Sequence, residues 1–333
     1  MRQEETSIGT VRYPDEVVFA FNPNRVSVWT DKSVTVSVAS VNYPQVYTDT
    51  REPMNGGVEI DISKYLQSFV DKETRSRDVR VRLETEDGSY MFDVMVLWGA
   101  INIGEAYNEP RTTEWFSNYP FTFELYVPND AKVQVATLNG TYADVELGHG
   151  LVQIDPKELF PLSQTGIQIK LERVASTSVW DYTFDHTFRD AVESGVSVYT
   201  LTRNDAVCGL YLRWVDRHGK MQYYLFEKGV ESQIDKAADM MTGVFTGENY
   251  EYLTSIYERK EATHNIMLCA PLVNKETFSL LKTMNTAVVV ELYYNGEWLP
   301  VNIEPVTIQE PMKVELVDYE VNMIYPVMMV QRL

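Results

Sequence analysis

Thiols, imidazoles, basic side chains and long apolar runs are all scarce in this chain of 333 residues. Two cysteines, Cys208 and Cys269, allow one disulfide at most, which excludes a scaffold held by several cross-links. Both sit in apolar runs, CGLYLRW and IMLCAPL, and read as two buried free thiols in a reducing compartment, with one disulfide as the alternative. The four histidines, His149, His186, His218 and His264, are far apart, and none has another at metal-ligand spacing. His149, between two glycines, and His218, in a turn, read as surface positions. The most apolar stretch, Val94 to Ile103, is about half the roughly 20 residues a spanning helix needs. The first residues, MRQEETSIGTVRY, lack the apolar core of a signal peptide, so synthesis and assembly in a cytoplasm are expected. With 29 Lys+Arg against 48 Asp+Glu, the net charge is −19, which repels nucleic-acid backbones and anionic membranes.

Motifs of chemistry are missing as well. There is no GxSxG elbow, no glycine-rich phosphate loop and no HExxH helix, and Asp31, Asp49, Asp61 and Asp87 do not form a calcium loop. A glycosidase needs two carboxylates at a defined gap, but among 48 acids some pair meets that gap by chance. The run from Asp181 to Asp190 gathers three carboxylates around His186. On an extended backbone, however, Asp181 and Asp185 share one face and His186 takes the other, so the run reads as a polar strand rim. The chain is therefore read as a non-enzyme, with no catalytic residue, metal or cofactor assigned.

What is abundant is material for strands. Valine outnumbers alanine 41 to 15 and aromatics reach 12%, a balance that suits pleated surfaces better than helices. SVTVSVASV, from Ser33 to Val41, alternates most regularly. In VRVRL, Val79, Val81 and Leu83 face one way and Arg80 and Arg82 the other. Asp87-Gly88, Asn139-Gly140, His218-Gly219 and Asn295-Gly296 each separate two such runs and mark hairpins, although His218 suits a primed turn less than Asp or Asn. Asn22-Pro23 breaks VVFAF from RVSVW. Helices are few: a turn capped by Asp61 and Ser63 running to Phe69, and one beginning at the N-cap Asn274 with Phe278, Leu281 and Met284 as its buried stripe. Glu231 to Met241 is helix-permissive but weakly patterned. The expected fold is mainly β, with two or three β-sandwich or β-barrel-like domains and a few short helices. Its domains are drawn at 1–109, 110–203 and 204–333, the last with one helix near 274–285.

Lys72, Arg75, Arg77, Arg80 and Arg82 form the one local exception to the acidic balance. They read as a solvated strand face, or as a contact for an acidic patch on a neighbouring copy; in the second reading Arg75, Arg77, Arg80 and Arg82 are the candidate subunit interface. The six tryptophans, Trp29, Trp98, Trp115, Trp180, Trp214 and Trp298, are core residues by default, with a sugar-stacking platform or a subunit interface as the alternatives.

Several stretches carry a resemblance: FNPNRVSV at 21–28, DISKYLQS at 61–68, LWGAINIGEAYNEPRTTEWFSNYPFTFELY at 97–126, CGLYLRWVDRHGKMQYYLF at 208–226, and AVVVELYYNGEWLPVNI from Ala287 onward. Together they resemble tail-associated virion proteins of phages and prophages of Bacteroides-type bacteria. The resemblance implies a non-enzymatic structural subunit of the tail, at a tail-tip or baseplate ring, with β-sandwich domains. It implies as partners further copies of the chain in a ring or other homo-oligomer and other phage tail proteins, with no sequence-specific nucleic-acid binding and no membrane insertion. The location implied is the virion tail, assembled in the host bacterial cytoplasm. The alternative reading is a carbohydrate-binding or receptor-binding β-sandwich.

Overall fold

A computed structural model describes residues 1–40, 45–101, 112–127, 131–137, 142–144, 150–159, 166–173, 181–182, 188–189, 196–246, 251–304, 316–325 and 328–332. The protein is mainly β, with three short helices among the described residues. It divides into two compact units. One contains Met1–Asp205 and Val215–Gln222, and the other contains Ala206–Trp214 and Tyr223–Leu333.

The first nine strands are β1 (Arg2–Thr6), β2 (Gly9–Tyr13), β3 (Val17–Phe19), β4 (Arg25–Trp29), β5 (Val34–Ser40), β6 (Val46–Arg51), β7 (Val58–Asp61), β8 (Ser76–Thr85) and β9 (Gly88–Leu97). They build two sheets, ordered β1-β2-β4-β7 and β3-β9-β8-β5-β6. The two sheets share one core: Val11, Val26, Val28 and Ile60 from the first pack with Val36, Val38, Val81, Leu83 and Val94 from the second. This is a β-sandwich, and strand alternation explains it. In β5 every second residue is buried, and in β8 Val79, Val81 and Leu83 are buried while Arg80 and Arg82 are exposed. Helix α1 (Ser63–Leu66), extended by a 3-10 turn over Gln67–Phe69, adds Leu66 and Phe69 to that core.

The next nine strands are β10 (Thr112–Phe116), β11 (Phe123–Val127), β12 (Ala131–Thr137), β13 (Tyr142–Asp144), β14 (Gly150–Ile154), β15 (Gly166–Arg173), β16 (Asp181–Tyr182), β17 (Phe188–Arg189) and β18 (Val196–Asn204), with α2 at Pro156–Leu159. Five of them form the sheet β10-β18-β15-β12-β13, while β11 pairs with β14 and β16 with β17. Trp115, Leu125, Ile154, Ile167, Ile169 and Leu201 are among its buried residues.

The last eight are β19 (Leu210–Val215), β20 (Met221–Thr246), β21 (Glu251–Asn274), β22 (Val290–Tyr294), β23 (Glu297–Pro300), β24 (Asn302–Ile303), β25 (Leu316–Ile324) and β26 (Met328–Arg332). They form the sheet β23-β22-β19-β20-β21-β25-β24, with β26 also on β21. Helix α3 (Lys275–Lys282) starts where Asn274 accepts from the Thr277 N–H at 2.8 Å, and it buries Phe278 and Leu281, followed by Met284 in a 3-10 turn.

Three local expectations change. The first hairpin turns at Glu86-Asp87, because Thr85 pairs with Gly88, and neither turn residue has positive φ, so the primed turn is absent. At His218-Gly219 only the glycine has positive φ, and the loop closes through Gly219 N–H to Asp216 C=O and Asp216 N–H to Lys220 C=O, a three-residue connection. Asn295-Gly296 does take the primed form, with φ of 51° and 89°. Glu231 to Met241 is not helical; it lies within β20. The Asn139-Gly140 turn lies outside the described residues, although its flanking strands β12 and β13 pair.

Candidate functional site

The arginine row does not form one surface. Arg80 and Arg82 lie on the exposed face of β8, and each is engaged within the chain: Arg80 is forked onto Asp93 at 2.8 and 2.9 Å, and Arg82 pairs with Glu84. Arg77 is half-buried. Arg75 precedes β8, outside its alternation, and turns inward. Its side chain is 9% exposed and meets Glu124, which is 1% exposed. Arg75 Nη1 also donates to the Gly219 carbonyl at 3.1 Å, while Glu124 accepts from Gln153 Nε2 at 2.9 Å and the Met221 N–H at 2.7 Å. Both charges are out of water and heavily hydrogen-bonded, as a buried pair requires. This arrangement ties four segments of the first unit together, around Arg75, Glu124, Gln153 and Gly219–Met221.

The Asn-Pro-Asn stretch and the Asp-Ile-Ser stretch also meet. Buried Asn24 donates through Nδ2 to the carbonyls of Phe19 at 2.9 Å and Asn22 at 2.8 Å, and its N–H goes to Ser63 Oγ at 2.8 Å. Ser63 Oγ reaches the Asn22 carbonyl, and Asp61 accepts from the Ser63 N–H at 2.9 Å. Asn22 in turn exchanges two bonds with Ile101, each of 2.8 Å. These motif residues close loops at the sandwich end; their polar groups are used on backbone.

In the second unit β20 and β21 are far longer than their neighbours. They pair from Glu227↔Cys269 to Thr246↔Glu251. Among the described residues a third strand flanks β21 only at Asn265–Asn274 (β25) and Arg259–Ala262 (β26). The seven rows from Met240↔Tyr257 to Thr246↔Glu251 therefore form a two-stranded ribbon among the described residues. In register, Met240 is opposite Tyr257, Met241 opposite Ile256, Val244 opposite Leu253 and Phe245 opposite Tyr252, so the paired sequence is rich in apolar residues.

The remaining candidates separate clearly. Trp115 and Trp214 are core residues, and Trp214 donates its indole N–H to Thr283 Oγ1 at 2.9 Å. Trp298 is half-buried under Arg213, whose guanidinium carbon lies 4.2 Å from the ring centroid while its Nε holds Glu291 at 2.6 Å. Trp98 is half-buried, Trp29 is exposed, and Trp180 lies outside the described residues. So do His149, Asp185 and His186. His218 is not a surface residue: its side chain is 11% exposed, because its turn folds back beside Asp216. Cys208 is exposed rather than buried, and Cys269 is half-buried. Among the described residues no group of three His, Cys, Asp or Glu is arranged to hold a metal, and no helix is long and apolar enough to cross a membrane.

Arg75–Glu124 and the ribbon were hidden in the sequence for different reasons. Glu124 lies 49 positions from Arg75, beyond any local pattern. The ribbon has apolar residues at both parities, which erases the alternation that marks a half-buried strand. No protein-family model and no curated protein sequence matches the chain.

Proposed function

We propose that this chain is a self-assembling structural subunit of a phage tail, at the tail tip or baseplate, joining copies of itself and docking other tail proteins. The observation that carries this reading is the β20–β21 ribbon. Two strands alone are marginal in water, and a ribbon whose sequence is rich in apolar residues and which no third strand flanks among the described residues gains stability when another chain covers or extends it. A second copy is the partner that is always present at equal concentration, and closed rings of identical copies follow from one repeated contact. The mainly β architecture supplies rigid sheets on which such a contact can be held.

Light scattering of the purified protein, followed by negative-stain imaging, tests the reading. Closed multimers are expected, falling to monomers when Met240–Tyr257 is replaced by a short Asn-Gly hairpin. Multimers of unchanged mass after that replacement would remove the ribbon as the assembly element. Arg80 and Arg82 offer a second contact within the same reading. Reversing both to Glu weakens the multimers and leaves the monomer folded, since exposed pairs such as Arg80–Asp93 contribute about 0–1 kcal/mol.

A further inference from the structure

Independently of assembly, the sandwich carries a groove of about 380 Å³ beside β4 and β7 and the segment between β6 and β7. That volume lies at the small end of the roughly 300–1,000 Å³ typical of small-molecule sites. Its exposed apolar lining is Trp29, 48% exposed, and Met54, 78% exposed, beside the buried Val28 and Val58, whereas Trp115 and Trp214 are buried in cores. Its polar lining includes Arg51, Glu52, Asn55 and Glu59. An open indole ringed by carboxylates, an amide and a guanidinium matches a ligand with one apolar face and a polar rim.

We propose that this groove binds a saccharide, neutral or bearing an amino group, with one sugar ring laid on the Trp29 indole. The C–H face of a pyranose supplies the apolar surface, and its hydroxyls supply donors for Glu52 and Glu59 and partners for the Asn55 amide. Charge selects within the class. Arg51 is held by Asp49, with Nε and Nη2 at 3.1 and 3.0 Å from the same oxygen, and Glu59 by Arg25 at 3.2 Å, so these two pairs offset each other and Glu52 tips the local sign negative, against phosphates and acidic sugars. The frame is also stiff. Asn55 and Gly56, with φ of 55° and 84°, form a tight turn closed by Gly57 N–H to Met54 C=O at 3.3 Å and backed by Met54 N–H to Gly57 C=O at 2.7 Å. At Gly57 a Cβ would come to 3.0 Å from the Val28 carbonyl, a tight approach that glycine avoids. A preformed site of this kind loses little freedom on binding.

A glycan array probed with the full-length protein, followed by isothermal titration of the best ligand, tests this. Hits are expected among neutral or amino-bearing glycans. Trp29→Ala should weaken the best at least tenfold, while Trp29→Phe retains most of the binding and the far-UV spectrum is unchanged. Should Trp29→Ala fold poorly, Met54→Ala on the exposed turn is the second variant, with a loss of several-fold expected. No glycan bound at millimolar concentration, hits confined to sialylated or sulfated glycans, affinity unchanged in both variants, or tetramethylammonium binding more tightly than any glycan would each overturn the proposal.

Discussion

Arg75 and Glu124 meet end-on, Nη1 to Oε2 and Nη2 to Oε1, 49 residues apart in sequence and both shielded from solvent. The pair is a point of mutual dependence, since removing either member strands the other charge in a low-dielectric site. Arg75→Met is expected to cost about 3–5 kcal/mol, and the double variant Arg75→Met/Glu124→Leu to recover part of that. Urea unfolding followed by tryptophan fluorescence measures it; a single-variant cost below about 1 kcal/mol would show the pair to be solvated.

Asn24 offers a neutral counterpart. Asn24→Ala removes the amide donors of the Phe19 and Asn22 carbonyls, which keep the Asn22 N–H and Ser63 Oγ respectively, so about 1–2 kcal/mol of stability should be lost. The same unfolding experiment reads the loss, and Asn24→Asp should be no better, because a carboxylate cannot donate to either carbonyl.

Lys220 gives a pH signature. Burial holds its pKa well below the ordinary value of 10.5. Between that lowered value and about 10.5 the unfolded chain binds a proton that the folded protein does not, so this lysine's contribution to stability rises with pH across the window and levels off above it. Lys220→Met removes the dependence. The variant's advantage in unfolding free energy should therefore shrink as pH is raised from 7 toward 10; an advantage that stays constant would contradict the burial.

The thiols should separate kinetically. Cys208 is exposed, whereas Cys269 is half-buried and burial, aided by Glu320, Glu227 and Asp318, raises its pKa. A thiol-reactive chromophore added to native protein at pH 7.5 is expected to label one equivalent rapidly and the second slowly. Cys208→Ser should abolish the fast phase alone.

What could be read in advance followed the range of the forces involved. β5 and β8 were legible because a strand with one buried face repeats every two residues, and α3 because its cap and its stripe at Phe278, Leu281 and Met284 fall within eleven positions. The Asp87-Gly88 turn came out one residue early. There the closing pair Thr85↔Gly88 and the Asp87 N–H bond to Thr85 Oγ1 at 3.2 Å favour an ordinary turn, which a dipeptide motif cannot reveal. Arg75 was grouped with Arg80 and Arg82 by sequence proximity, yet its fate was decided by Glu124 and Gly219. Trp29 ends β4 on the outward row of Arg25 and Ser27, and alternation alone could not say that a groove would form beside it.

The way the chain is shared between its units has a consequence for taking it apart. Val215–Gln222 belongs to the first unit although it lies between two pieces of the second, so the backbone passes from one to the other three times. The Gly219 carbonyl and the Met221 N–H that complete the Arg75–Glu124 site come from that inserted loop. A fragment ending at Asp205 would thus be born with an unfinished interior, and no single proteolytic cut releases either unit whole. In a lineage of such proteins the two units are expected to be inherited and exchanged together, as one module, rather than shuffled separately.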